Sequence, residues 1–81
     1  MDEKEIFNKL INNLVENFNI KKESITSDKN IRTDLGLDSF DITEMSFIIK
    51  EKFDVQIAQD DSLGIKTVGD IVSYIKNNIK K

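Results

Sequence analysis

Apolar residues recur along this chain at the spacing of helices. Ile6, Phe7, Leu10, Ile11, Leu14, Val15 and Phe18 fall on one wide face at about 100° per residue, which predicts a helix over residues 3–18. Asp2 is placed to cap it, with Glu5 reaching back as in a capping box. Asn12, Asn13 and Asn17 are poor helix formers, so packing must stabilise this helix. A second helix is predicted over residues 39–53. On it Ile42, Met45, Ser46, Ile49 and Phe53 cluster on one side, the expected core face. Phe40, Thr43, Glu44, Phe47 and Glu51 cluster on the other, where two phenylalanines stand that the core does not need. A last helix over 67–79 carries a stripe of Val68, Ile71, Val72, Ile75 and Ile79. Thr67 and Asp70 fit a capping box at its start, and Lys76, Lys80 and Lys81 suit its negative end.

Between these helices the pattern lapses. Residues 19–37 read as a long connection rich in turn and cap residues: Ser24, Thr26, Ser27, Asp28 and Asn30. Loops of this length are unusual in so small a domain unless they are pinned or functional. The expectation is that Ile20, Ile25, Ile31, Leu35 and Leu37 plug into the bundle. Asp28-x-Asn30 has the start of a calcium-loop pattern, but Arg32 and Thr33 stand where a ligand and a glycine are needed. Residues 58–63 have room for one or two helical turns, ended by Gly64. Three long amphipathic helices and one short one predict a small all-α bundle, a single domain spanning residues 1–81.

Composition narrows the chemistry. The chain has 81 residues, 33% of them charged, with a net charge of -3. The acidic balance disfavours nucleic acid and favours basic partner surfaces. With no cysteine and no histidine there is no disulfide, no thiol nucleophile, and neither the commonest general base nor the commonest metal ligand. No glycine-rich phosphate loop and no triad appears. An enzyme could still work with carboxylates alone, but the expectation is no catalytic residue and no metal site, a domain that does little chemistry with its own side chains, so that any reactive group would have to be attached. No apolar run approaches a signal core or a membrane span, which reads as a cytoplasmic protein without membrane insertion.

The most informative stretch is Asp34-Leu35-Gly36-Leu37-Asp38-Ser39-Phe40-Asp41. Gly36 suits a turn. Asp38 suits a helix N-cap, with Asp41 three residues later. Ser39 then opens the helix and presents its hydroxyl where a phosphate would meet the positive end of the helix dipole. This octapeptide resembles the prosthetic-group attachment motif of acyl carrier proteins, usually Asp-Leu-Gly-x-Asp-Ser-Leu-Asp. The similarity runs on through Glu44, Glu51-Lys52-Phe53-Asp54, Lys66-Thr67-Val68-Gly69-Asp70 and Tyr74-Ile75, nearly the whole chain.

The resemblance implies a four-helix bundle with a long first loop and a short third helix. It also implies 4′-phosphopantetheine attached to Ser39, whose terminal thiol holds an acyl group as a thioester. The chain would be carried between enzymes of fatty-acid biosynthesis or a related pathway as a monomer, not act as a catalyst. Partners would be a phosphopantetheinyl transferase, which would also read Asp38, and acyl-loading and acyl-processing enzymes with basic surfaces. Asp38, Phe40, Asp41, Glu44, Phe47 and Glu51 are the candidate contacts. The chain departs from the pattern at Lys50 and Lys52, often acidic; at Ser46, often apolar; at Phe40 and Phe47, often leucine and methionine; and at Ala58, often proline. These departures bear on which enzymes it serves. Leu37-Asp38-Ser39-Phe40 also matches carriers of D-alanine, which keeps an aminoacyl or peptidyl carrier as the alternative. A cofactor-free helical adaptor using Phe40 and Phe47 is a second.

Overall fold

A computed structural model of the chain describes residues 2–57 and 64–79. It contains α1 (Glu3–Phe18), a single 3-10 turn at Lys22–Ser24, α2 (Ser39–Phe53) and α3 (Val68–Asn78). The predicted helix over 58–63, Ala58, and the cations Lys80 and Lys81 lie outside the described residues. The three α-helices match the expected segments within a residue at each end. Each starts at the predicted cap. For α2 and α3 the capping box is complete, from Asp38 and Asp41 in one and from Thr67 and Asp70 in the other. At α1 only half of the predicted box forms: the Asp2 carboxylate accepts from the Glu5 N–H at 2.8 Å. Two of the asparagines in α1 turn back on their own helix. Asn13 donates to the Lys9 carbonyl and Asn17 to the Asn13 carbonyl.

The core is built as the periodicity requires. Ile6, Leu10, Ile11 and Leu14 of α1 meet Met45, Ile49 and Phe53 of α2 and Val68, Ile71, Val72 and Ile75 of α3. Helix α1 packs most closely against α3. The Tyr74 hydroxyl reaches the Gln56 carbonyl at 3.4 Å and ties the segment after α2 to α3.

The long connection is part of this core. Ile25, Ile31 and Leu37 are buried, and Ile20 and Leu35 pack partly buried against them. The cleft between Ile31 of the loop and Ile42, Met45 and Ser46 of α2 holds only ≈ 10 Å³, about one water. Ser46, on the predicted core face, closes its own hydroxyl on the Ile42 carbonyl at 3.1 Å.

The loop is fastened to α3 through the backbone. A helix start has N–H groups with no intrahelical acceptor. In α3 the Val68 N–H donates to the Lys29 carbonyl at 3.0 Å and the Gly69 N–H to the Ser27 carbonyl at 2.8 Å. In return, the Ile31 N–H donates to the Lys66 carbonyl at 2.9 Å. This close approach explains Gly69. A Cβ there would stand 3.1 Å from the Ser27 carbonyl oxygen, which is already fixed by a hydrogen bond. Gly69→Val should lower stability by about 1–3 kcal/mol through overpacking. The urea midpoint reads this directly, and a midpoint equal to the parent's would mean the loop yields freely at this point.

Asp70 holds the same junction from below. Its carboxylate accepts from the N–H groups of Lys66 at 3.0 Å and Thr67 at 3.1 Å. Those bonds, the Lys66 one first, hold its pKa below the ordinary 3.8 despite some desolvation. A carboxyl whose folded pKa is depressed stabilises the fold above its unfolded pKa. That contribution fades as the pH falls from about 3.8 through the lower folded value. Asp70→Asn should therefore flatten the acid limb of a melting-temperature profile below that point, whereas an unchanged acid limb would assign the loss to other carboxyls.

Candidate functional site

The site is assembled by the last turn of the long loop. Asn30 is its hub. Its side-chain oxygen accepts from the N–H groups of Arg32 at 2.8 Å and Thr33 at 3.0 Å, and its carbonyl accepts from those of Asp34 and Leu35. Asp34, the first residue of the motif, returns a carboxylate to the Asn30 N–H at 2.8 Å. Of the two residues that began the calcium-loop pattern, Asn30 is engaged in these turn bonds and the Asp28 carboxylate accepts from the Thr26 hydroxyl. Among the described residues no group of three or more acidic side chains could hold a metal. Gly36 takes φ 74°, the left-handed region that glycine enters without strain. The Leu37 N–H closes on the Ile31 carbonyl at 3.0 Å and its side chain is buried. Each residue from Asp34 to Leu37 thus sets the direction in which α2 starts.

Asp38 then caps α2. Its carboxylate accepts from the Asp41 N–H at 2.9 Å, and the Asp41 carboxylate accepts from the Asp38 N–H at 3.3 Å. The helix ladder begins with the Ile42 N–H on the Asp38 carbonyl at 2.9 Å. Among the described residues two N–H groups of the first turn remain without an acceptor, those of Ser39 and Phe40, both exposed residues. Ser39 is the first helical residue and is exposed. Among the described residues nothing hydrogen-bonds its hydroxyl, whereas the nearby Thr43 and Ser46 hydroxyls are turned onto the carbonyls of Ser39 and Ile42. An anion joined to the Ser39 oxygen would sit at two free N–H groups and the positive pole of α2.

The outer face of α2 is exposed as predicted. Phe40 is 77% and Phe47 71% accessible. Glu44, Glu51 and Asp38 are exposed, and Asp41 is half-buried by its part in the cap. Lys50 lies on the flank and pairs with Asp54 at 2.9 Å. The sequence reading missed the Asn30 hub and the backbone staple to α3. Asn30 and Asp34 are turn residues that could have signalled the hub; the carbonyl contacts across the fold leave only Gly69 as a sequence trace, unreadable without the structure.

Comparison with known proteins bears on the same stretch. Residues 8–75 match the family model described as a phosphopantetheine attachment site. The acyl carrier protein of Lactobacillus acidophilus is 44% identical over 78 residues, covering 96% of this chain and 98% of that protein. That of Borreliella burgdorferi is 38% identical over 76 residues, covering 94% and 95%. That of Clostridium perfringens is 34% identical over 76 residues, covering 94% and 100%. With the attachment-site model spanning most of the chain and relatives of this identity aligned nearly end to end, the chain belongs to the acyl carrier protein family.

Proposed function

We propose that Ser39 carries 4′-phosphopantetheine through a phosphodiester and that the chain presents acyl groups, as thioesters on that arm, to enzymes of fatty-acid biosynthesis or a related acyl-transfer pathway. The observation that carries this reading is the exposed Ser39 hydroxyl, without a hydrogen-bond partner among the described residues, at the first helical position and inside the segment matched by the attachment-site family. The arm supplies a thiol to a chain with no cysteine. The chain's own residues do the rest. Asp38 and Asp41 fix the helix start, the N–H groups of Ser39 and Phe40 would be available to donate to the phosphodiester, and Leu37 anchors the approach.

The acidic face of α2 suits enzymes with basic surfaces, among them the phosphopantetheinyl transferase that loads the arm and reads Asp38. Asp41, Glu44 and Glu51 extend that face. The protein is a monomeric, single-domain cytoplasmic carrier rather than a catalyst. Among the described residues no helix is long and apolar enough to cross a membrane. The relatives named above are acyl carrier proteins, which supports acyl over aminoacyl cargo despite the Leu37–Phe40 match. The intact mass of protein purified from its native cell tests this reading. The expected mass is the chain plus the arm, with a fraction bearing an acyl group; D-alanine on the arm would transfer the assignment to aminoacyl carriers, and a bare chain would remove it.

A further inference from the structure

Backbone bonds shape the turn that leads into Ser39. The Asp34 and Leu35 N–H groups close on the Asn30 carbonyl at 3.0 and 3.1 Å, the Gly36 N–H on the Arg32 carbonyl at 3.1 Å and the Leu37 N–H on the Ile31 carbonyl at 3.0 Å. All of these acceptors lie in residues 30–32, so the placement of that tripeptide decides where Leu37 ends and Asp38 begins to cap α2. The tripeptide is itself held by a side chain. The Asn30 oxygen accepts from the N–H groups of Arg32 at 2.8 Å and Thr33 at 3.0 Å. Asn30 is half-buried, whereas Arg32 and Thr33 are exposed. On its other side Asn30 forms an antiparallel bridge with Thr67, and the Ile31 N–H donates to the Lys66 carbonyl. The turn is thus tied to the bundle at Asn30 and carries the attachment serine beyond its far end.

We propose that Asn30 is a positioning residue for the transfer of the arm: its side-chain oxygen orients the turn that presents Ser39 to the transferase. The proposal deepens the carrier reading and rests on it. In that reaction the Ser39 oxygen forms a bond to the phosphorus next to the pantetheine of coenzyme A. The phosphoanhydride bond breaks, its electron pair leaves with adenosine 3′,5′-bisphosphate, and the serine proton passes to a base of the transferase. Asn30 touches none of the reacting atoms and acts only through the turn. In-line attack tolerates little misplacement of the oxygen, and an error of about 1 Å can slow such a step by on the order of 100-fold. Without the Asn30 oxygen, the N–H groups of Arg32 and Thr33 turn to water, which their exposure permits. The fold then loses little, while the turn gains a freedom that it passes on to Ser39.

The test follows arm transfer to the full chain in single turnovers, well below the melting temperature of every variant. Coenzyme A is saturating, and a broad-specificity transferase is varied in excess over the carrier. Asn30→Ala should lower the maximal rate about tenfold. The transferase concentration giving half that rate should change by less than about twofold, because the exposed face of α2 is intact. Val72→Ala, a core truncation on α3 away from the turn, separates positioning from stability. Partial unfolding of the carrier raises the half-saturating concentration and leaves the maximal rate alone, since bound carrier is folded. Val72→Ala should therefore keep the parent's maximal rate. Asn30→Asp retains an acceptor oxygen and should recover most of that rate at moderate salt, which screens its repulsion from Asp34. Amide hydrogen exchange gives a reading without the enzyme. In Asn30→Ala the N–H groups of Gly36 and Leu37 should exchange faster, while that of Ile75 in α3 is unchanged. A parent-like maximal rate in Asn30→Ala, an equal loss in Val72→Ala, no recovery in Asn30→Asp, or unchanged exchange at Gly36 and Leu37 would each overturn the proposal. A parent protein that accepts no arm would fail the carrier reading instead, and its mass shows which of the two has failed.

Discussion

Incubated with coenzyme A and a broad-specificity phosphopantetheinyl transferase, the parent chain should gain one phosphopantetheine mass and Ser39→Ala should gain none. The contrast should be complete, because the other hydroxyls near the start of α2 are engaged. Thr43 and Ser46 donate to carbonyls one turn back, which leaves Ser39 as the exposed nucleophile beside free N–H groups. The substitution should not disturb the fold. Ser39 is exposed, its side chain bonds nothing among the described residues, and alanine is a better helix former than serine. Surface changes of this kind stay within about 0.5 kcal/mol. Loss of modification with an unchanged melting curve would therefore identify the attachment atom rather than report a damaged site. Modification of the alanine variant, or failure of the parent to be modified, would remove Ser39 from that role.

Much of this was legible in the sequence because helix periodicity and capping act locally. The apolar faces of α1 and α3 and all three N-caps follow from residues within one or two turns of each other. The exposure of Phe40 and Phe47 also follows from local geometry, since a helix 15 residues long has only one face to bury here. The loop is different. Its apolar residues announce burial without a period, so the sequence says that Ile25, Ile31 and Leu37 enter the core but not where. The positions are set by carbonyls of Ser27, Lys29 and Lys66, groups every residue possesses. Gly69 is the trace that this packing leaves in the sequence, and it becomes readable only when the Ser27 carbonyl is seen against it. The site inherits the same division. The cap and the exposed serine were readable, while the Asn30 hub that aims them was not.

The loop should therefore weigh in stability as a helix does. Ile31 is 1% exposed and lies between α2 and the entry to α3. Its N–H reaches the Lys66 carbonyl and its carbonyl receives the Leu37 N–H. Truncating a buried isoleucine leaves a cavity, and the cost depends on how far the surroundings collapse. Those backbone bonds restrain Ile31 from both sides, so collapse should be limited and Ile31→Ala should cost about 2–5 kcal/mol. A chain of this length has roughly 4–12 kcal/mol in total. The variant should melt at least about eight degrees lower, given about 4–8 °C per kcal/mol for a domain this small. Leu35→Ala, a partly buried neighbour in the same turn, should cost clearly less. Because Leu37 and Gly36 hang from the same turn, the Ile31 variant should also be modified at Ser39 more slowly as its melting temperature is approached. Parallel thermal melts of the two variants decide the matter: a cost for Ile31→Ala below about 1 kcal/mol, or equal to that of Leu35→Ala, would mean the loop rests on the bundle without completing its core.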